Sequence, residues 1–335
     1  MTPKKPTDPP DVTIVIPVWR AADSVAAAVA SALGQVGVTV EVLVVDDASE
    51  DGTADVLRDL ARQDARIRMA GLDANGGPAA ARNHGLDLAR GTWIAMLDAD
   101  DTMTPPRLHR MIGLGQRTGA DIVLGNVADL HPGDDPAEAR PFLRDLAAPE
   151  RWTAERFLAG NRRAAGERSL GYLKPVLRRG FVERTGLRYD PSLRNGEDCH
   201  LILEAFAAGA AVWYAPAADY LYRRRPGSLS HRSDPAHLAA LLRAEAAVAP
   251  RLGGGTRMRR LLRSRRASIR NVMIAETAIA ALKAGRPAEA AAAILLHPAG
   301  APRLAIQLAE ATLKRATGRR SPLPPDGALR TGGRE

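Results

Sequence analysis

The chain has 335 residues, 45% hydrophobic and 25% charged, so it can bury the core of one large domain or of two small ones. Its formal net charge of +9 favours anionic partners such as nucleotides, phospholipid surfaces or nucleic acid. Its single cysteine, Cys199, excludes an internal disulfide framework and a cysteine-based zinc site.

Residues 1–10 are polar and proline-rich, which predicts a disordered lead-in without a secretory signal. The next part of the chain predicts strands that alternate with helices. Apolar runs predict strands at 12–16, 38–45, 66–70, 91–97 and 121–124, and helices are predicted at 24–33, 54–63, 79–89 and 105–118. This alternation is typical of a parallel sheet with right-handed crossovers, whose strands bind ligands at their carboxyl ends.

Residues 129–170 predict an irregular, exposed excursion with a short helix near 154–160. A strand or turn at 173–181 leads into a helix, and Glu197 and Asp198 head a further helix at 201–208. Two strands are predicted at 211–214 and 220–222. From residue 235 the sequence predicts basic helices, with a disordered tail over 319–335, and no apolar window of about 20 residues predicts a membrane span.

Acidic residues follow the buried strand at 91–97, in the order Asp98-Ala99-Asp100-Asp101. Carboxylates one residue apart in extended chain point toward the same opening, and burying them is costly unless something neutralises them. A divalent cation with hard oxygen ligands would do so. The alternative is an acidic turn that caps the next helix.

Three further charged features need the same explanation. The pair Asp46-Asp47 ends the second predicted strand, Glu197-Asp198 opens a helix, and a cationic loop at 222–231 contains Arg223, Arg224 and Arg225. Carboxylates that hold a metal, a second carboxylate pair and arginines that meet phosphate together predict a site for a phosphate leaving group.

With these features in order, the chain resembles inverting family 2 glycosyltransferases of the GT-A fold over about residues 11–230. The matching segments are Val15-Ile16-Pro17-Val18, Val44-Val45-Asp46-Asp47-Ala48-Ser49-Glu50-Asp51-Gly52-Thr53, Asn75-Gly76-Gly77-Pro78-Ala79-Ala80-Ala81-Arg82-Asn83-His84-Gly85, Leu97-Asp98-Ala99-Asp100-Asp101 and Asn195-Gly196-Glu197-Asp198. Each segment alone is weak, and the set in this order is specific.

The resemblance implies an α/β fold with a Rossmann-like, mostly parallel central sheet flanked by helices, and the sequence that follows it predicts a C-terminal helical extension. It places a glycosyltransferase domain at 11–232, with a nucleotide-binding half at 11–128 and an acceptor half at 129–232, and leaves a basic helical extension at 235–318. The implied reaction moves one sugar from a nucleotide-sugar donor, expected to be a UDP-sugar, to a hydroxyl of a glycan or polyprenyl-linked acceptor. Mg²⁺ or Mn²⁺ is implied as well. The single cysteine, which is compatible with a reducing cytoplasm, and the lack of a visible secretory signal favour a cytoplasmic location.

The resemblance also assigns the nucleotide contacts. Pro17 and Val18 are expected along the base, and the Asp47 carboxylate is expected to form a hydrogen bond with the base. The small residues Gly76 and Gly77 let the backbone of their loop approach the ligand. Arg82 is expected near the nucleotide, with a structural ion pair as the alternative.

The catalytic roles follow in the same way. Asp98 resembles the residue that contacts ribose or metal-bound water, and Asp100 resembles the direct metal ligand. Asp198 is expected to be the general base that takes the proton of the acceptor hydroxyl, and Glu197 to position the acceptor or tune that base. The alternative for the pair is a cap in the first turn of a helix.

The cationic loop departs from the family pattern, because Arg225 stands where a histidine is more usual. An arginine stays protonated and cannot ligate a metal, but it can clamp a diphosphate, so Arg224 and Arg225 are expected to bind the donor's phosphates. The Gln-x-x-Arg-Trp motif of processive synthases is absent, which favours transfer of a single sugar.

The basic stretch at 256–270 leaves two interpretations open. It either packs on the catalytic domain with a solvated basic face, or it contacts an anionic membrane peripherally. Nucleic acid is not an expected partner, because no aromatic residues interleave with the arginines. Two alternatives to a glycosyltransferase are a sugar-phosphate nucleotidylyltransferase, disfavoured because residues 17–23 are not glycine-rich, and an inactive nucleotide- or lipid-binding scaffold.

Overall fold

The structure is a computed structural model that describes residues 9–131, 133–135, 139–161, 170–224, 234–306 and 308–309. Contacts divide the chain into one unit of Met1–Thr153 and Gly171–Pro226, and a second of Ala154–Leu170 and Gly227–Glu335. Most of the predicted lead-in and all of the predicted tail at 319–335 lie outside the described residues, as does Arg225.

The first unit contains a ten-stranded mixed sheet. Its strands are β1 (Val12–Val18), β2 (Val40–Asp46), β3 (Ile67–Gly71), β4 (Trp93–Met96), β5 (Thr102–Met103), β6 (Ile122–Leu130), β7 (Arg140–Pro141), β8 (Glu150–Trp152), β9 (Lys174–Arg178) and β10 (Val212–Arg223). The order along the sheet is β3-β2-β1-β4-β9-β6-β10-β5, with β7 beside β6 and β8 beside β10. Strands β3, β2, β1 and β4 pair in parallel, as predicted, whereas β9 runs antiparallel to both of its neighbours, β4 and β6.

Helices cross between these strands. They are α1 (Val25–Leu33), α2 (Thr53–Gln63), α3 (Pro78–Leu88), α4 (Arg107–Thr118), α6 (Arg179–Thr185) and α7 (Glu197–Ala207), and α5 (Ala154–Ala159) belongs to the second unit. The β-branched run at 12–16 is almost wholly buried in the centre of the sheet. Helix α3 lies close on β1, since a Cβ at Gly85 would come within 2.3 Å of Val15 Cγ1. This close approach positions the N-terminal half of α3 beside the end of β1.

Two predictions about strands differ from the structure. The strands predicted at 211–214 and 220–222 are the two halves of β10, which pairs with β6 through an irregularity between Ala215 and Tyr220. Inside that irregularity Asp219 is buried and forms an ion pair of 2.6 Å with Arg107. The segment 129–170 is also less irregular than expected, because β7 and β8 lie within it and Trp152 is buried.

The second unit is helical over its described residues. It contains α5, α8 (Pro235–Val248), α9 (Thr256–Lys283) and α10 (Pro287–Leu296). A buried ion pair joins α8 to α9, with Arg265 Nε 2.6 Å from Glu245 Oε1. The basic stretch predicted at 256–270 therefore turns one of its arginines inward. No helix in the described part of the chain is long and apolar enough to span a membrane.

Candidate active site

The candidate site lies where β1, β2 and β4 end, and hydrogen bonds tie these ends together. Asp47 follows β2, and its amide donates to the carbonyl of Val18 at the end of β1, at 2.8 Å. The Asp47 carboxylate accepts hydrogen bonds from the amides of Gly76 at 2.7 Å and Gly77 at 2.8 Å. Asp47 and Gly76, predicted separately as nucleotide contacts, therefore form one structure, in which a carboxylate holds a backbone loop at the edge of the sheet.

Positive φ values, which are strained for residues other than glycine, occur at the same edge of the sheet. Gly77 has φ +84°, and a Cβ there would come within 2.1 Å of a guanidinium nitrogen of Arg194. Arg20 and Ala48, which follow β1 and β2, have positive φ values of 50° and 54° although neither is glycine. Such strain is found where the surrounding structure fixes a loop for a ligand. Pro17 and Val18 precede one of these positions, Arg20, with Trp19 between them.

A buried guanidinium on α3 gathers three of the predicted acidic residues. Arg82 Nη2 lies 2.8 Å from Asp98 Oδ1, and Arg82 Nη1 lies 2.8 Å from Glu197 Oε1 and 3.6 Å from Asp198 Oδ1. The Arg82 side chain is 6% exposed. The structure thus brings together residues from the ends of β4 and the start of α7, more than 90 positions apart in the sequence, at one point.

A lysine that sequence analysis did not identify completes this group. Lys174, the first residue of β9, places Nζ 2.6 Å from Asp98 Oδ2 and 3.2 Å from Asp198 Oδ2. Its side chain is 7% exposed. The available signal was a lysine inside the apolar run of residues 173–177, since a buried ammonium needs an acidic partner. Asp98, Arg82, Lys174, Glu197 and Asp198 are called the charged cluster below.

Tyr220 of β10 fixes the backbone of the acidic turn. Its hydroxyl accepts a hydrogen bond from the amide of Asp98 at 3.1 Å and donates to Asp101 Oδ2 at 2.8 Å. The other oxygen of Asp101 accepts from the amide of Arg223 at 2.8 Å. Asp101 therefore connects the turn after β4 to the end of β10.

The cluster perturbs the pKa values of its members. Burial acts to raise the pKa of Asp98, but the charges of Lys174 and Arg82 outweigh it, and the pKa lies well below its ordinary value. Burial acts to lower the pKa of Lys174, but Asp198 and Asp98 outweigh it, so Lys174 stays an ammonium at neutral pH. Burial, reinforced by Asp198, raises the pKa of Glu197. Perturbation of this kind is typical of functional sites.

The same burial raises the pKa of Asp101, with repulsion from Asp98 and Asp100 as the next causes. This repulsion indicates a concentration of negative charge at the end of β4. In the described part of the chain, no three histidine, cysteine or acidic side chains converge as metal ligands. Mg²⁺ is commonly held by one or two carboxylates together with substrate phosphates, and Asp98 and Asp100 are carboxylates of this kind. In this structure the two oxygens of Asp98 contact Arg82 and Lys174.

Two further charged residues from the sequence analysis, Arg224 and Asp46, lie at the ends of β10 and β2. Arg224 follows β10 and forms an ion pair with Asp129, with Nη2 3.2 Å from Oδ2. Asp46, which was not assigned a contact, accepts a hydrogen bond from the amide of Ser49 at 3.2 Å and shapes the turn after β2.

Comparisons with known proteins identify the class to which this arrangement belongs. Residues 13–164 match the family described as Glycosyl transferase family 2. The chain is 41% identical over 239 residues to the succinoglycan biosynthesis protein ExoO of Rhizobium meliloti (strain 1021), covering 71% of this chain and 68% of that protein.

Two solved structures share the fold. The S. aureus protein TarS (residues 1–349) in complex with UDP-GlcNAc matches with a TM-score of 0.59 and 18% identity, covering 72% of this chain and 66% of that one. The mannosyltransferase PcManGT from Pyrobaculum calidifontis, in complex with GDP-Man and Mn2+, matches with a TM-score of 0.56 and 19% identity, covering 93% and 83%.

The sheet and the helices around it are those of the GT-A glycosyltransferases, which confirms the predicted fold class. The chain belongs to glycosyl transferase family 2.

Proposed function

We propose that this protein transfers one sugar from a UDP-sugar to a hydroxyl of a glycan or polyprenyl-linked acceptor, with inversion at the anomeric carbon. The observation that carries the proposal is the charged cluster, in which Lys174 holds the Asp198 carboxylate beside Asp98 at the ligand edge of the sheet. The similarity to ExoO, a succinoglycan biosynthesis protein, supports a polysaccharide or glycolipid product. The TarS complex with UDP-GlcNAc supports a uridine nucleotide.

The proposed nucleotide subsite is the edge formed by β1, β2 and the loop at Gly76. Pro17 and Val18 would lie along the base, with Asp47 at its hydrogen-bonding edge, and the strained backbone supports a role of this region in holding a ligand. Arg82 would stand at the inner side of the nucleotide. Arg224 and the neighbouring Arg225 would clamp the diphosphate, for which paired guanidinium groups are well suited.

Asp100, with Asp98 beside it, would hold Mg²⁺ or Mn²⁺, and the complex of PcManGT with Mn2+ supports this choice of cation. A divalent cation bound there would neutralise the negative charge that develops on the diphosphate leaving group. The rest of the reaction depends on the side chains of this chain, above all on Asp198.

The proposed reaction is a single displacement. The acceptor oxygen forms a bond to the anomeric carbon while the bond from that carbon to the diphosphate oxygen breaks, and its electron pair leaves with the nucleoside diphosphate. The proton of the acceptor hydroxyl goes to Asp198. The oxygen Oδ2 of Asp198 is held by Lys174, and Oδ1 lies 3.6 Å from Arg82, beyond hydrogen-bond length, so Oδ1 is the proposed acceptor of that proton.

The second unit supports a proposed contact with an anionic membrane, at the cytoplasmic face where such a donor would be used. A groove of about 300 Å³ on α8 and α9 combines apolar side chains with three arginines; it is lined by Leu242, Arg243, Ala246, Arg266 and Arg270. Guanidinium groups beside apolar side chains suit the phosphates of lipid headgroups. The contact would use this groove rather than the whole basic stretch, because Arg265 is taken up by Glu245.

The test compares acceptor transfer with donor affinity in the same preparation. Asp198→Asn should lower transfer by roughly 100-fold or more, the low end of what a general base contributes, while Mn²⁺-dependent binding of UDP persists. Glu197→Gln should lower transfer less. Asp59→Asn, at an exposed position on α2, is the matched control and should change neither quantity. Parental transfer by Asp198→Asn would show that the base lies elsewhere.

A further inference from the structure

The charged cluster contains a residue whose role the proposed reaction leaves open. Lys174 contributes an ammonium that touches two carboxylates of different function, Asp98 at 2.6 Å and Asp198 at 3.2 Å. Asp98 follows β4 and belongs to the donor side, whereas Asp198 lies in the first turn of α7. One side chain therefore joins the two halves of the proposed site.

The electrostatic balance shows why a cation is needed at this place. Three carboxylates share the cluster, and Arg82 reaches Asp98 and Glu197 at hydrogen-bond distance but Asp198 only at 3.6 Å. Without Lys174, Asp198 would keep, among the described residues, only the longer ion pair with Arg82 at 3.6 Å, and repulsion from its two acidic neighbours would favour other rotamers. Like charges in a poorly solvated place repel strongly, so its orientation depends on the ammonium.

We infer that Lys174 is a positioning residue that holds Asp198 in the orientation needed for proton transfer and ties that orientation to the donor-side Asp98. The inference rests on the proposed function, since it assigns Asp198 as the base. Lys174 itself does not exchange a proton in this scheme. Its ammonium occupies Oδ2 of the base and leaves Oδ1 for the acceptor hydroxyl.

Misplacing a catalytic group by about 1 Å can cost roughly 100-fold in rate. Lys174→Met keeps the length of the side chain and removes the charge, so kcat for transfer should fall by ~10- to 100-fold. The KM for the donor should change less than kcat, because Asp98 keeps its ion pair of 2.8 Å with Arg82, whereas Asp198 lies 3.6 Å from that guanidinium. Lys283→Met, at the exposed end of α9, is the matched control and should leave both constants unchanged.

A double-mutant cycle distinguishes positioning from a general loss of structure. If Lys174 acts through Asp198, Lys174→Met combined with Asp198→Asn should be no slower than Asp198→Asn alone. Losses that multiply, or a Lys174→Met enzyme with kcat within about threefold of the parent, would overturn the inference. If Asp198→Asn retains parental transfer, the proposed base is wrong. If Asp198→Asn is inactive but Lys174→Met is active, the base is supported and only the inference about Lys174 is wrong.

Removal of the ammonium could leave too much unpaired charge for the protein to fold, and a second comparison covers that case. Asp98→Asn combined with Lys174→Met removes one negative and one positive charge, so the formal charge of the cluster is unchanged. Relative to Asp98→Asn alone, the pair should lose a further ~10-fold in kcat if Lys174 positions the base. Equal rates for the two variants would overturn the inference.

Discussion

The buried guanidinium of Arg82 compensates three carboxylates, so removing it should lower the free energy of unfolding by an amount that the structure allows us to estimate. Arg82→Met removes a cation that is 6% exposed and leaves Asp98, Glu197 and Asp198 with Lys174 as their counterion. Breaking a buried ion pair by removing one partner costs about 3–5 kcal/mol, because the remaining charge stays desolvated. For a unit of about 200 residues, each kcal/mol lowers Tm by roughly 2–4 °C, so the expected loss is about 6–20 °C.

The loss should depend on pH, and its sign follows from the pKa shifts. Burial acts to raise the pKa of Asp98, but the charges of Lys174 and Arg82 outweigh burial, so this pKa is depressed in the folded protein. Its contribution to stability is therefore present above the ordinary aspartate pKa and disappears as the pH falls through the lower, folded pKa. The pKa of Glu197 is already raised by burial and Asp198, and losing Arg82 should raise it further. Protonation of Glu197 then removes one of the repelling negative charges in the variant as the pH falls from neutral toward about 5. The difference in free energy of unfolding between the parent and Arg82→Met should therefore shrink over that range.

Urea unfolding in a metal-free buffer at the two pH values measures this deficit. Arg58→Met serves as the control, since its ion pair with Asp55 on α2 is exposed and should contribute ~1 kcal/mol or less at either pH. An Arg82→Met protein that unfolds within about 1 kcal/mol of the parent at pH 7 would refute the idea that this guanidinium compensates buried carboxylates. A deficit that stays constant or grows on acidification would refute the assignment of the relief to carboxylate protonation.

Three further predictions address the nucleotide loop, the cation and the second unit. Gly77→Ala should destabilise the protein by about 1–3 kcal/mol in urea, because φ +84° is strained for a residue with a Cβ and Arg194 would also have to move, whereas Gly52→Ala, at φ −68° with nothing within 4 Å, should cost much less. Asp100→Asn should abolish the increase in Tm that UDP gives with Mn²⁺, and an unchanged increase would remove Asp100 as a ligand. Replacing the arginines of the α8–α9 groove by glutamine should abolish flotation with anionic vesicles at low salt, whereas the parent should float and lose binding as salt rises; flotation of both would place the contact elsewhere.

Much of the fold could be predicted from sequence because local patterns and tertiary structure agree in its first half. The β-branched run of β1 and the glycine-rich loop before α3 each specify their element, and the acidic residues that follow β2 and β4 mark the ligand edge. Asp98, Glu197 and Asp198 were predicted as one site, and the structure brings them to a common guanidinium. Their catalytic roles stay predictions until transfer is measured.

The second half was harder, because packing there overrides local preference. Pro216 and the polar Asp219 interrupt the apolar pattern of β10, and a separation into two strands is the natural prediction. In the structure the strand continues, since Arg107 reaches from α4 to neutralise Asp219 at 2.6 Å. An ion pair between residues 112 positions apart leaves no signal in a local pattern.

The direction of β9 explains why Lys174 escaped prediction and why it matters. In a sheet of parallel strands the first residue of a strand lies at the edge opposite to the ligand site, so a lysine there suggests no function. Strand β9 instead runs antiparallel between β4 and β6, with Lys174 beside Gly125 of β6 and Val176 beside Ala95 of β4. Its first residue therefore lies at the edge where β4 ends, next to Asp98. Reversing one strand in the sheet supplies the site with a cation that a wholly parallel arrangement would have placed far from it. Lys174→Met should impair transfer more than donor binding because Asp98 keeps Arg82 at 2.8 Å after the substitution, whereas Asp198 loses its hydrogen-bonded cation.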